Sequence, residues 1–337
     1  MDLPSLSVIS DSLPTQHEYG DEPFPLVLQC QDAEVSLAAV EHWISESRDD
    51  LIQRVERQGA ILFRGFPLRF AADFERFVAA FDLPNFPYDQ SLSNAVRINY
   101  SERVFSANEA PADVTIFLHH EMAQTPIFPS KLFFFCEQPA ATGGATPLCR
   151  SDILWNELRK RYPEFSRACE TRGLRYSNVM PGQNDPASGM GRSWQSTLRA
   201  ETREAAERRL EDLGYTWQWL PDGCLRATTP VLPAVREVLP GCRTFFNQLI
   251  AAFRGWKDSR NDPGKALTFG DGTPLDRETV MAVAEIAETL TFDLPWQRGD
   301  VALVDNFLVM HGRRTFQGTR KVLASLVASE QSIHALE

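Results

Sequence analysis

The stretch Ile116-Phe117-Leu118-His119-His120-Glu121-Met122 sets two histidines and a glutamate at the end of an apolar run that reads as a strand. Residues two apart on a strand share a face, so His119 and Glu121 are expected on one side and His120 on the other. A second run, Val301-Ala302-Leu303-Val304-Asp305-Asn306, continues through Phe307-Leu308-Val309-Met310 into His311-Gly312-Arg313, placing another histidine at a strand end. The chain has six histidines; His17 and His334 lie near the termini and His42 in a charged helical stretch, which leaves these three. Two imidazoles and a carboxylate on rigid strands make the set that leaves three positions open on Fe(II). His119, Glu121 and His311 are therefore the candidate metal ligands and catalytic centre, although an H-x-E alone carries little information.

What lies outward of the two runs adds to it. Gly143-Gly144-Ala145-Thr146 follows the first, and Phe316-Gln317-Gly318-Thr319-Arg320 follows the second. An anionic co-substrate chelating the metal needs a cationic fork and a hydroxyl for its far carboxylate, and arginine binds carboxylates bidentately. Arg320 and Thr146 are the candidates. Arg97, Asn99 and Asn247 interrupt apolar stretches; Arg97 and Asn247 are candidate substrate contacts, with turn or sheet-edge roles as the alternative. Arg103 and Arg314 are further cations for the site, and Arg313 and Arg314 beside His311 either serve it or brace the strand end. The aromatic runs Phe133-Phe134-Phe135 and Phe245-Phe246 read as core strands more than as pocket walls.

The chain around these pieces has 337 residues, with 34 Lys+Arg against 45 Asp+Glu and a formal charge of −11. That balance argues against a nucleic-acid partner, which needs clustered Lys and Arg. Hydrophobic residues at 43% and charged at 23% imply a folded chain with a sizeable core. No apolar run approaches the roughly 20 residues of a membrane span. The first 14 residues lack a basic, then apolar, leader pattern, so a secretory signal is not expected there. Six cysteines without a C-x-x-C pair fit reduced thiols and a cytoplasmic location.

Helical spacing is expected over residues 35–58, with Gly59 as the stop, and over 71–81, 152–172 and 201–213. Strands are expected over 60–63, 96–99, 114–118, 131–136, 146–149, 299–309 and 320–328, and a hairpin over 216–230 around Pro221-Asp222-Gly223. Residues 177–196 read as a lid or a disordered loop.

Taken in order, the H-x-E, the G-G-x-T, the run Trp296-Gln297-Arg298-Gly299-Asp300, Asp305-Asn306, His311-Gly312-Arg313 and Gly318-Thr319-Arg320 resemble the TauD/TfdA-like Fe(II)- and 2-oxoglutarate-dependent dioxygenases. The resemblance implies a mixed α/β chain with a mainly β core, a double-stranded β-helix (jelly-roll) with N-terminal and inserted helices. It further implies one domain over 1–337, with a cap region over 1–94 and the jelly-roll over 95–328, interrupted by a helical insertion at about 152–290. Iron would be held by His119, Glu121 and His311, and 2-oxoglutarate by Arg320 and Thr146. With O2 the enzyme would oxidise a substrate C–H bond by hydroxylation, epoxidation or desaturation, releasing succinate and CO2.

Many family members carry Asp in the first motif; Glu121 is similar to the clavaminate synthase-like and amino-acid hydroxylase branches. A carboxylate there implies oxygen insertion over halogenation. Ala324 stands where taurine dioxygenase-like chains offer a second Arg, which argues against taurine. The implied substrate is a small amino-acid derivative, free or tethered to a carrier protein. Two other readings use the same residues: a His/Glu/His zinc hydrolase, although no helical H-E-x-x-H occurs, and a non-catalytic jelly-roll binding protein.

Overall fold

The strands Ala60–Arg64 and Val301–Asp305 are buried along their whole length, and Lys131–Gln138 along its first six residues. Strands covered on both faces belong between layers. In the computed structural model these three are the neighbouring central strands of a seven-stranded sheet. The structure describes residues 6–329 except 33, 94, 96, 108, 186, 187, 189, 257–259 and 261–265. The sheet runs Val8–Asp11, Leu26–Cys30, Ala60–Arg64, Val301–Asp305, Lys131–Gln138, Lys321–Val327, Phe105–Ser106. Among the described residues, only Leu26–Cys30 and Ala60–Arg64 pair in parallel.

One face of this sheet is covered by the helices Leu37–Gln58 and Ala71–Ala79, whose buried Val40, Ile44, Phe74 and Phe77 pack with Phe63, Phe133 and Phe135. Ser36 starts the first helix by accepting from the Ala39 amide at 3.2 Å. Gly59 ends it with φ 91, where a side chain would also strike Val309 at 2.6 Å. The other face packs on a four-stranded antiparallel sheet ordered Thr291–Leu294, Thr146–Arg150, Val309–Arg313, Ile116–His119. Leu62, Phe134, Val304, Leu148 and Val309 fill the space between the two sheets. This is the expected jelly-roll.

Between Arg150 and Thr291 the chain forms helices and a second four-stranded sheet, Thr216–Trp219, Leu225–Thr228, Leu174–Met180, Leu267–Phe269. Trp155, Phe245, Leu249 and Val283 of this segment pack against Leu118, Cys149 and Met310, covering the outer face of the smaller sheet. The six cysteines are unpaired, and no helix among the described residues is long and apolar enough to cross a membrane.

Several expected elements come out differently. The single strand expected over 299–309 is two strands in different sheets. The Asp305 carboxylate accepts from the Phe307 and Leu308 amides at 2.9 and 3.0 Å, turning the chain across the sandwich. Residues 152–172 form two helices, Ser151–Arg161 and Pro163–Arg172, divided at Tyr162 because the proline can only start a helix. The strand expected over 96–99 does not form: Arg97 and Ile98 are irregular, Asn99 makes one bridge to Phe105, and Val96 lies outside the described residues. Residues 177–196 are not one loop, since they begin inside Leu174–Met180 and end inside the helix Trp194–Leu198.

Gly312 lies at a close approach between strands of the smaller sheet. A Cβ there would lie 2.4 Å from the Ile116 carbonyl oxygen and 3.2 Å from Pro147. Gly312→Ala should destabilise the fold by about 1–3 kcal/mol in denaturant titrations and weaken divalent-metal binding, because relief of the clash parts the strands carrying His119 and His311. Unchanged stability and metal affinity would contradict this close approach.

Candidate metal centre

His119 and His311 face each other as direct partners across the antiparallel pair Ile116–His119 and Val309–Arg313. Opposed residues on neighbouring strands project to the same face, and the two rings lie 4.4 Å apart between centroids. His119 Nδ1 donates to the Phe117 carbonyl at 2.8 Å, which leaves Nε2 as the free lone pair. Glu121 reaches the rings from beyond the strand, which ends at His119. The shared face expected of two residues on one strand is therefore replaced by a turn, in which the next residue, Met122, takes the left-handed conformation at φ 58.

Asn306 holds that turn. Its Oδ1 accepts from the Glu121 amide at 2.7 Å, and its Nδ2 donates to the Glu121 and Pro129 carbonyls at 3.0 and 2.7 Å. His120 faces away, buried, and donates from Nδ1 to the Asn306 carbonyl oxygen. Glu121 Oε2 lies 3.4 Å from His311 Nε2 and 4.0 Å from His119 Nε2. One donor atom from each of the three residues falls within 4.8 Å of the others.

The electrostatics suit a cation. Burial, then the neighbouring His311, brings the His119 pKa down to about 4, so the imidazole is neutral and able to ligate. Burial alone would raise the Glu121 pKa, but the Arg97 charge and the His311 hydrogen bond outweigh it and hold the carboxyl well below the usual range. His311 Nδ1 is buried without a hydrogen-bond partner among the described residues. The neutral His119 imidazole, the His311 ring and an ionised carboxylate converging on one point fit a divalent transition metal.

A cavity opens beside these three residues and reaches Thr146 and Arg320. Arg320 Nε donates to the Gly144 carbonyl at 2.9 Å, and its Nη2 lies 3.5 Å from Thr146 Oγ1. Burial and the nearby Arg313 lower the Arg320 pKa to about 10, which leaves it charged at neutral pH. Gly144, at φ 72, allows this approach; a Cβ would stand 3.0 Å from Arg320 Cδ. Trp296 Nε1 donates to Thr146 Oγ1 at 2.9 Å.

Arg97 lines the same cavity, with its Nη2 3.1 Å from Glu121 Oε1. Asn247 does not line it. It is 1% exposed, and its amide joins the Ala234 carbonyl and the Leu249 amide at 3.0 and 2.9 Å, so it braces a backbone turn. Arg313 lines the cavity while donating to the carbonyls of Ala110, Pro111 and Val114. Arg314 pairs with Asp293 and Glu288, and Arg103 donates to the Leu83 carbonyl. Phe134 is buried in the core as expected and also forms a cavity wall 5.2 Å from the His311 ring, whereas Phe133 and Phe135 point into the helix-covered layer. Asn306 and Trp296 were not singled out as site residues; the signal for Asn306 was an amide interrupting an apolar run.

A family model described as taurine catabolism dioxygenase TauD, TfdA family matches residues 21–326. The chain belongs to the TauD/TfdA family. Like its family, it is an Fe(II)- and 2-oxoglutarate-dependent dioxygenase. It is 39% identical over 330 residues to a clavaminate synthase-like protein of Arabidopsis thaliana, covering 96% of this chain and 99% of that one. It is 27% identical over 320 residues to the dapdiamide synthesis protein DdaC of Enterobacter agglomerans, covering 90% and 93%. The fold is also similar to PvcB of Pseudomonas aeruginosa, with a TM-score of 0.50 at 13% identity over 90% of this chain and 86% of that one.

Asn306→Asp keeps the acceptor for the Glu121 amide but sets an oxygen against two carbonyls. It should destabilise the protein by about 2–4 kcal/mol in denaturant titrations and loosen metal binding by about tenfold or more. Wild-type values for both would remove Asn306 from this role.

Proposed function

We propose that His119, Glu121 and His311 hold Fe(II), that Arg320 and Thr146 hold the far carboxylate of 2-oxoglutarate, and that the enzyme hydroxylates, epoxidises or desaturates a small amino-acid-derived substrate, free or carrier-tethered. The observation that carries this is one cavity lined by the triad and by the Arg320 and Thr146 pair. Bound iron and 2-oxoglutarate supply the oxidising chemistry, with O2 consumed and succinate and CO2 released. The protein's part is placement and exclusion. Arg320, held by the Gly144 carbonyl, keeps its remaining donors for a carboxylate, and Phe134 closes the cavity beside His311 with an apolar wall.

Glu121 and the likeness to a clavaminate synthase-like chain support an amino-acid-derived substrate, and the likeness to a dapdiamide synthesis protein supports a place in specialised metabolism. A cytoplasmic location accords with the unpaired cysteines.

Anaerobic protein given Fe(II) and 2-oxoglutarate should develop a weak visible metal-to-ligand charge-transfer band. Arg320→Ala should need about 10- to 100-fold more 2-oxoglutarate to reach half of it, since a charge-assisted fork is lost. No band at saturation rejects the cofactor set, and an unchanged requirement rejects the role of Arg320. A succinate-release screen over free amino acids, small peptides and carrier-bound aminoacyl groups then identifies the substrate form.

A further inference from the structure

The two oxygens of Glu121 have different neighbours. Oε2 faces the imidazoles, whereas Oε1 meets Arg97 Nη2 at 3.1 Å, with both side chains about 5% exposed. A buried ion pair holds its geometry only when both partners are fixed. Here the guanidinium lies 4.6 Å over the Tyr88 ring and 5.2 Å from that of Phe105. Tyr88 is fixed in turn, its hydroxyl donating to the Ala95 carbonyl at 2.6 Å and lying 2.9 Å from Ser93 Oγ. Arg192 stands 5.6 Å from the same ring and donates to the carbonyls of Asp89, Ser91 and Ser93. The cation on Oε1 thus sits on a rigid support.

Coordination numbers give this pairing a consequence. Of six positions on an octahedral ion, the three protein donors would take three and a chelating keto acid two, which would leave one open. A carboxylate chelating through both oxygens would take that last position. Glutamate, one methylene longer than aspartate, has more freedom to swing into that arrangement.

We propose that Arg97 is a positioning residue that occupies Oε1, so that Glu121 offers the metal one oxygen and the sixth position stays open. This rests on the metal-site reading above. It assigns Arg97 to Glu121 in preference to the substrate. It also carries a sign that mere structural support does not share: a positive charge beside a dication and a withheld oxygen both weaken metal binding, so removing Arg97 should tighten it.

Mn(II) is the probe, titrated into wild type, Arg97→Met and Arg97→Lys by electron paramagnetic resonance. Water-proton relaxation of the Mn(II)–2-oxoglutarate complexes then reports whether an exchangeable water remains on the ion. Wild type should retain one. Arg97→Met should bind Mn(II) about tenfold tighter and lose that water, and Arg97→Lys, which keeps a cation for Oε1, should stay near wild type in both. Weaker Mn(II) binding by Arg97→Met, or a retained water, overturns the proposal. If Arg97→Met does not fold, Tyr88→Leu, which removes the support and leaves Glu121 untouched, should lose the water in part, and full retention is equally decisive. A wild-type protein that takes up no Mn(II) rejects the metal site itself, a failure distinct from that of the Arg97 role.

Discussion

Two antiparallel strands, Ile116–His119 and Val309–Arg313, set His119 directly opposite His311, and the rest of the centre is built on that register. The spacing of the two imidazoles is fixed by backbone hydrogen bonds, which leave far less play than long side chains would. A slip of one residue would turn one imidazole to the other face of the sheet. The neighbouring strand guards against this, since Leu148 pairs with His311 from the other side. Glu121 belongs to no strand, and it is tied to the second sheet crossing through Asn306.

Charge is organised on the same short scale. A chain of net charge −11 takes up a dianionic co-substrate because charges beyond a Debye length of about 8 Å are screened while contacts at a few Å are not. Arg97, Arg313 and Arg320 line the cavity against the single carboxylate of Glu121. Outside it, Arg64 and Asp300 form a buried bidentate pair that ties Ala60–Arg64 to the segment before Val301 and leaves no charge over.

Much of this was legible from residue order. His119, Glu121, Thr146, His311 and Arg320 sit in short contiguous motifs, and the sheets inherit the apolar runs around them. What was not legible depends on contacts far apart in sequence. The turn at Asp305–Leu308 is hidden because the strands on both sides of it are apolar. The pairing of Arg97 with Glu121 joins an irregular segment to a strand end, and no periodicity announces it. Asn247 misled because a polar residue among apolar ones reads alike whether it meets a ligand or two backbone groups. Phe134 differs from its neighbours only by facing the other side of its strand.

The hydrogen bonds around Thr146 decide which way its proton points. A hydroxyl oxygen has two lone pairs and one hydrogen. Trp296 Nε1 already donates to it at 2.9 Å, and Arg320 Nη2 approaches at 3.5 Å. With its lone pairs facing two donors, the hydroxyl keeps its own hydrogen to give to an acceptor. A carboxylate oxygen can receive it, whereas an amide N–H or an ammonium brought to the same point would meet donors alone. That end of the cavity therefore favours an acceptor oxygen over a group that presents only N–H donors.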